Sequence, residues 1–168
     1  MTNTPNNPQM RKGFTMIELI FVIVIIGILA AVAIPRLAAT RDDAKIATCM
    51  DGASSFMQQV SAYYTSQGDL ADVQSMTNFP KATAANKLNG FNDITKDLGT
   101  NGATVEYWCD GAKSIEFDVN SSATSLAITP KDVSGTGEDD KVAHLSADAM
   151  NKKDFYKTYT LGGKSVKF

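Results

Sequence analysis

A single carboxylate lies at the start of the longest apolar run in the sequence. Glu18 follows Phe14 by four positions, and residues 19–34 carry no charged or strongly polar side chain. Placing a carboxylate in an apolar membrane helix costs roughly 2.5–3.5 kcal/mol at the helix centre, and less near an end. Glu18 therefore predicts a function that needs a cationic partner. The alternative is that its side chain reaches the lipid headgroups.

The apolar run has the length of a membrane-spanning helix. As a helix, residues 14–34 would extend roughly 31 Å, which is about the thickness of a bilayer's hydrocarbon core. Arg11 and Lys12 precede the run and predict a cytoplasmic N-terminus, with the rest of the chain across the membrane. An ordinary secretory signal cut near Ala33 is the alternative, but a disposable signal has no use for Glu18.

A cut after Gly13 would supply the cationic partner. It would leave a free amine on Phe14 and make Glu18 the fifth residue of the new chain. The ammonium of one helix could then pair with the carboxylate of a neighbouring helix. Because an unpaired charge in a low-dielectric interior is strongly unfavourable, such a pair favours the assembled state.

The segment 13–18, followed by the apolar run, resembles the N-terminal signal of type IV prepilins and type II secretion pseudopilins, over residues 11–40. The resemblance implies that a prepilin peptidase cleaves after Gly13 and methylates Phe14, and that Glu18 acts in assembly. It also implies a homo-oligomeric or mixed filament, with an inner-membrane platform protein and an assembly ATPase as partners. The mature chain would reside in the bacterial inner membrane or in the filament.

Gly27 and Pro35 match helix-weakening positions of that family. Inside a helix, glycine costs about 1 kcal/mol relative to alanine and proline about 3 kcal/mol. The helix between them is therefore predicted to be its weakest part, able to unwind locally in a filament. The alternative is a simple kink at the membrane surface.

The rest of the chain predicts an α+β, pilin-like fold. An apolar stripe from Ile46 to Tyr64 continues the N-terminal helix to about Ser66, apolar now on one face only. Alternating residues later in the chain predict a small antiparallel sheet for the helix to pack on. The predicted organisation is a leader at 1–13, the transmembrane half-helix at 14–35 and a periplasmic or extracellular domain at 36–168.

The predicted strands lie between short turn signals. Thr104–Trp108 and Ile115–Val119 flank Asp110-Gly111, a favoured hairpin turn, and a further strand contains Leu126 and Ile128. Between the helix and the first strand, one or two short helices are expected. Leu161-Gly162-Gly163 is predicted to turn a last hairpin between Phe155–Thr160 and Lys164–Phe168.

The only two cysteines are Cys49 and Cys109. A pair in a small exported domain is typical of one disulfide, which would join the helix to the sheet. Two free buried thiols are the alternative. A helix-to-sheet disulfide differs from the C-terminal loop disulfide of many pilins, and this mildly favours a secretion pseudopilin.

An acidic, glycine-containing segment offers oxygen ligands for calcium at Asp132, Glu138, Asp139 and Asp140. Some major pseudopilins carry a calcium site in their C-terminal loops, but the spacing here fits no known loop. A solvated turn is the stronger interpretation, so no cofactor is expected.

Other classes of function find little support in the composition. The net charge is −2, with 16 basic and 18 acidic residues, and this argues against nucleic-acid binding. The single histidine, His144, and the absence of a nucleophile elbow or phosphate-binding loop indicate that the chain is not an enzyme. The prediction is a structural subunit of a type IV pilus or a type II secretion pseudopilus. A membrane-anchored binding module that does not polymerise is the alternative.

Overall fold

A computed structural model describes residues 13–121, 125–135 and 140–162. The chain divides into two compact units, Met1–Thr40 and Arg41–Phe168. The described part of the first unit is helical from Met16 onward, and the second unit holds the sheet.

The described residues form three helices and five strands, and the first helix is by far the longest. In chain order the elements are α1 (Met16–Gln67), α2 (Val73–Met76), β1 (Gly90–Phe91), β2 (Thr104–Cys109), β3 (Ala112–Ser121), β4 (Leu126–Asp132), α3 (Lys141–Lys152) and β5 (Tyr159–Gly162). The predicted α+β class, with one long N-terminal helix and a small antiparallel sheet, is confirmed.

The five strands form one antiparallel sheet in the order β1-β2-β3-β4-β5, so each strand pairs with its neighbour along the chain. Asp110 and Gly111 turn β2 into β3 with φ angles of 51° and 92°. Positive φ at both central residues is the geometry that Asp-Gly favours in a two-residue hairpin. The hairpin predicted at this dipeptide is therefore confirmed.

In the second unit, the last part of α1 packs on the inner face of the sheet. Its buried residues recur at three- and four-residue steps, as the apolar stripe predicts. Phe56 is at the centre, with its ring centroid 4.5 Å from that of Phe91 and 4.7 Å from that of Phe117. Gly68, at φ 78°, ends the helix and donates its N–H to the carbonyl of Tyr64 at 2.8 Å.

Helix α3 was not predicted from the sequence. It buries Val142, Ala143, Ser146, Ala147 and Met150. Its buried face is built mostly from small residues, so it lacks the run of large apolar side chains that marks an amphipathic helix. The hydroxyl of Ser114 on β3 donates to the carbonyl of Ala143 at 3.1 Å, which fixes the helix to the sheet.

The prediction for the end of the chain was wrong. Leu161 and Gly162 belong to strand β5, which pairs with β4, instead of forming a turn. Gly162 lies opposite Leu126, and a Cβ at this position would lie 3.2 Å from the ring of Tyr64. The glycine therefore serves close packing against α1. The last predicted strand, Lys164–Phe168, lies outside the described residues.

Gly52 on α1 lies directly against the side chain of Tyr107 on β2. A Cβ built on Gly52 would lie 2.0 Å from the Tyr107 hydroxyl oxygen and 3.1 Å from its Cζ. Tyr107 is wholly buried, and its hydroxyl finds no hydrogen-bond partner among the described residues. The glycine thus makes room for a phenol that gains little from its oxygen.

Alkaline pH is expected to destabilise the folded domain through Tyr107. Burial, and secondarily the charge of Asp51, raises the pKa of Tyr107 above 10.0. The unfolded chain therefore loses the phenolic proton first, so this contribution to stability is complete below pH 10 and is lost as the pH rises above it. We expect the free energy of unfolding to fall by up to about 1.4 kcal/mol per pH unit in that window.

The measurement is urea unfolding of the detergent-solubilised chain between about pH 9 and about pH 11, followed by circular dichroism. Tyr107→Phe should reduce the alkaline loss. Part of the alkaline loss of stability should remain in this variant, because burial also raises the pKa of Tyr156. An equal loss in the wild-type and Tyr107→Phe chains would contradict the assignment to Tyr107.

Candidate functional site

The described part of the first unit presents an apolar helix surface whose large side chains are exposed. Phe14 is 86% exposed, and the large apolar side chains of the N-terminal part of α1 are exposed all round. Within the described residues, α1 is the one helix long and apolar enough to cross a membrane, with a mean hydropathy of 3.1 over its most apolar 18 residues. This surface is suited to lipid or to other helices.

Thr15 and Glu18 cap the N-terminus of α1. A carboxylate oxygen of Glu18 accepts from the backbone N–H of Thr15 at 2.8 Å and from its hydroxyl at 2.7 Å. The backbone N–H of Glu18 in turn donates to the Thr15 hydroxyl oxygen at 3.3 Å. This reciprocal arrangement is a capping box, which satisfies donors that a helix N-terminus otherwise leaves without partners.

The capping box gives Glu18 a partner within its own helix, and sequence reasoning missed it. Thr15 and Glu18 have the Thr-x-x-Glu spacing of the motif, so the signal was present. A single subunit can therefore hold the Glu18 carboxylate before any other chain approaches.

Gly13 and Phe14 lie outside the helix, which begins at Met16. No other part of the described chain lies within 4 Å of where a Cβ of Gly13 would be. The peptide bond between Gly13 and Phe14 is thus on an exposed, non-helical segment. Arg11 and Lys12 lie outside the described residues.

Gly27 and Pro35 both lie within α1, which runs from Met16 to Gln67 although Pro35 has no N–H to donate to the preceding turn. A Cβ on Gly27 would meet no atom within 4 Å, so close packing inside the subunit does not require this glycine. The weakening of the helix between these two residues stays a prediction.

The predicted disulfide between Cys49 and Cys109 is confirmed. It joins α1 to the end of β2 across a Cα–Cα distance of 5.8 Å, and both cysteines are wholly buried. The two cysteines are 60 positions apart in sequence, and closing a loop of this length is expected to stabilise the fold by roughly 4 kcal/mol. Beside it, Lys45 on the preceding turn of α1 pairs with Asp110 of the hairpin turn at 2.6 Å.

A second ion pair fixes α1 in the same region of the fold. Lys141, the first residue of α3, donates to the carboxylate of Asp42 at 2.8 Å. This hydrogen bond, together with the lysine's charge, lowers the pKa of Asp42. Residues 42–49 are thus held by two ion pairs and a disulfide, directly after the first unit ends.

Only two of the four calcium candidates, Asp132 and Asp140, are among the described residues. Asp132 ends β4 and accepts from the backbone N–H and hydroxyl of Ser134 at 2.9 and 2.7 Å. Asp140 precedes α3, while Glu138 and Asp139 lie outside the described residues. In the described ranges, no three histidine, cysteine or acidic side chains are grouped to hold a metal ion.

Comparison with known proteins gives the class of the chain. Residues 8–34 match the prokaryotic N-terminal methylation motif. Over 121 residues the chain is 32% identical to the type IV wide pilus major component PilA4 of Thermus thermophilus, covering 68% of this chain and 92% of that protein. No solved structure matches the chain significantly.

The chain belongs to the type IV pilin family. This is a structural family, not a family of enzymes, and it accounts for the joining of an apolar helix to a folded α+β domain. The methylation motif and the apolar helix also indicate that the chain is anchored in a membrane or part of a pilus.

Proposed function

We propose that this protein is the precursor of a type IV pilus subunit that polymerises through its N-terminal helix. The observation that carries the proposal is the exposed apolar half of α1, at whose N-terminus the Glu18 carboxylate forms a capping box with Thr15. In the inner membrane, residues 14–35 would span the bilayer with the leader in the cytoplasm and the folded domain in the periplasm. In the filament, the same surface would pack against the helices of other subunits.

Processing is the first step of the proposal. A prepilin peptidase cleaves the chain after Gly13, removes residues 1–13 and methylates the new amine on Phe14. The exposed, non-helical position of the Gly13–Phe14 bond supports this, because a peptidase needs an extended and accessible segment. Cleavage leaves Thr15 and Glu18 in place, so the capping box survives.

On assembly, the Glu18 carboxylate then exchanges its partner within the subunit for a partner in a neighbouring subunit. In the single subunit the carboxylate is held by Thr15, and in the filament it pairs with the Phe14 ammonium of a neighbouring subunit. Each charge reduces the cost of burying the other. The pair therefore favours the axial shift between neighbouring helices that brings the ammonium and the carboxylate together. A platform protein and an assembly ATPase would move subunits out of the membrane.

A pilus is favoured over a secretion pseudopilus by the similarity to a wide pilus major component, which extends beyond the methylation motif into the domain. The position of the disulfide mildly favours the pseudopilus, but the similarity over 121 residues is the broader observation.

The experiment is the intact mass of the protein isolated from cells with an active prepilin peptidase. We expect a chain that begins at N-methylated Phe14 and is two hydrogens lighter than its reduced form. Replacing Gly13 with valine should leave a chain that begins at Met1, which serves as the unprocessed reference.

A wild-type mass that begins at Met1 would defeat the filament proposal and favour an anchored binding module. A mass that begins after Ala33 would instead identify a secretory signal. Either result is distinct from loss of the disulfide, which changes the mass without moving the N-terminus.

A further inference from the structure

The second unit has an open groove between α1 and the segment that links α3 to β5. Its volume is about 470 Å³. Met50, Met150, Phe155 and Tyr159 supply its apolar surface. Met150 is buried, whereas the other three side chains are only partly covered. An apolar groove of this size leaves room for a side chain from another molecule.

The rim of the groove is charged but incompletely paired. Lys157 pairs with Asp154 at 3.5 Å. Asp51, on the α1 side, forms no ion pair with any of the described residues. Lys153, on the α3 side, likewise forms no ion pair with any of the described residues, so the rim offers a carboxylate on the α1 side and an ammonium on the α3 side.

The second unit also carries an exposed apolar side chain on its other side. Leu88 is 46% exposed, and the only other large apolar side chain so exposed in the described part of this unit is Leu145, at 38%. Leu88 lies two residues before β1 and directly after Lys87, which has a φ of 50°. A leucine beside a lysine matches an apolar groove beside an aspartate.

The loop that presents Leu88 is held in place by hydrogen bonds. The side-chain oxygen of Asn86 accepts from the backbone N–H of Leu88 at 3.2 Å. Asn89 donates to the Thr48 hydroxyl at 3.4 Å, and its side-chain oxygen accepts from the Asp110 N–H at 3.2 Å. A loop fixed in this way can enter a contact with little further loss of conformational freedom.

Leu88 and the groove lie at opposite edges of the sheet and at a similar level along α1. Leu88 adjoins the β1 edge, where Asn89 contacts Thr48, and the groove adjoins the β5 edge, where α1 contributes Met50 and Asp51. Two different surfaces on opposite sides of one subunit form a heterologous contact. Such contacts build open helical filaments when the rotation between subunits does not close a ring.

We propose that Leu88 of one subunit inserts into the groove of a second copy, with Lys87 facing that copy's Asp51. The inference rests on the proposed filament function and adds a contact between folded domains to the contact between helices. It assigns the groove to another copy of this chain because Leu88 and Lys87 adjoin each other at one edge, while the apolar surface and the unpaired Asp51 adjoin each other on the α1 side of the other.

The test uses the full chain in cells that carry the type IV pilus machinery, with filament yield after shearing as the readout. Leu88→Asp is expected to lower the yield by about tenfold or more, because it removes a buried leucine from each contact. Leu145→Asp changes a similarly exposed leucine outside the contact and should leave the yield near wild type. Oxidation of Cys49 and Cys109, read on a non-reducing gel, shows that each variant has folded.

Charge reversal tests the pairing itself. Lys87→Glu and Asp51→Lys should each lower the yield, and the double variant should recover most of it. In assembled filaments, Leu88→Cys combined with Ser54→Cys, on the groove wall, should form cross-linked dimers, whereas Leu145→Cys combined with Ser54→Cys should not.

The two proposals fail differently. Wild-type chains that form no filaments would defeat the proposed function. The groove contact would be overturned if wild-type chains form filaments, Leu88→Asp and Leu145→Asp give equal filament yields, and no cross-link forms between positions 54 and 88. That result would leave the proposed function standing.

Discussion

Replacing Glu18 with alanine is expected to abolish filament formation while leaving the folded domain intact. In the proposed filament, the substitution leaves each Phe14 ammonium without a carboxylate partner among the packed helices. Removing one member of a buried ion pair typically costs about 3–5 kcal/mol, which corresponds to a hundredfold or greater loss of subunit affinity. The measurement is sheared filament yield relative to the amount of processed subunit in the membrane.

Thr15→Val is the matched control for this experiment. Glu18 also belongs to the capping box, so its loss weakens the helix N-terminus as well as any contact between subunits. The valine removes the Thr15 hydroxyl but keeps the backbone N–H and the carboxylate. We therefore expect Thr15→Val to lower filament yield far less than Glu18→Ala.

Equal losses in the two variants would mean that Glu18 acts only as a helix cap. Undiminished assembly of Glu18→Ala would remove the charge-pairing mechanism altogether. In both cases the mass of the subunit should still begin at methylated Phe14, because the cleavage site is unchanged.

Features that depend on local sequence were predictable. The apolar run, the Asp110-Gly111 turn and the stripe on α1 each arise from residues close together in the chain, and the structure contains all three elements. The disulfide was also predictable, since Cys49 lies on the stripe that faces the domain and Cys109 ends a strand.

Features that depend on distant residues were not predictable. Helix α3 buries alanine and serine, which become a core face only because Ser114 and the sheet lie beneath them. Gly162 belongs to a strand through its pairing with β4, and Tyr64, nearly a hundred positions earlier, lies where its side chain would be. Sequence periodicity carries no record of such contacts.

The same distinction applies to the candidate sites. Gly13, Phe14 and Glu18 form one short motif, so the proposed assembly site could be located from the sequence, and its role stays a prediction. The groove and Leu88 are brought to opposite edges by the order of the strands, and that order becomes visible only in the folded domain.

Gly52→Ala is expected to destabilise the domain by about 2–3 kcal/mol, as is typical of overpacking a well-filled core. The new methyl group would lie 2.0 Å from the Tyr107 hydroxyl oxygen, so α1 or the ring must shift. The measurement is urea unfolding of the full chain in detergent. Gly27→Ala is the control, because a Cβ there meets no atom within 4 Å.

Tyr107→Phe should rescue Gly52→Ala. Removing the hydroxyl eliminates the closest contact and leaves the ring carbon at 3.1 Å, a distance that a small shift can relieve. Because the hydroxyl has no hydrogen-bond partner among the described residues, Tyr107→Phe alone should be neutral or stabilising by up to about 1 kcal/mol. The double variant should therefore recover most of the stability that Gly52→Ala loses. Additive effects would show that the alanine is destabilising for a reason other than this contact, since residues that touch are expected to show coupling.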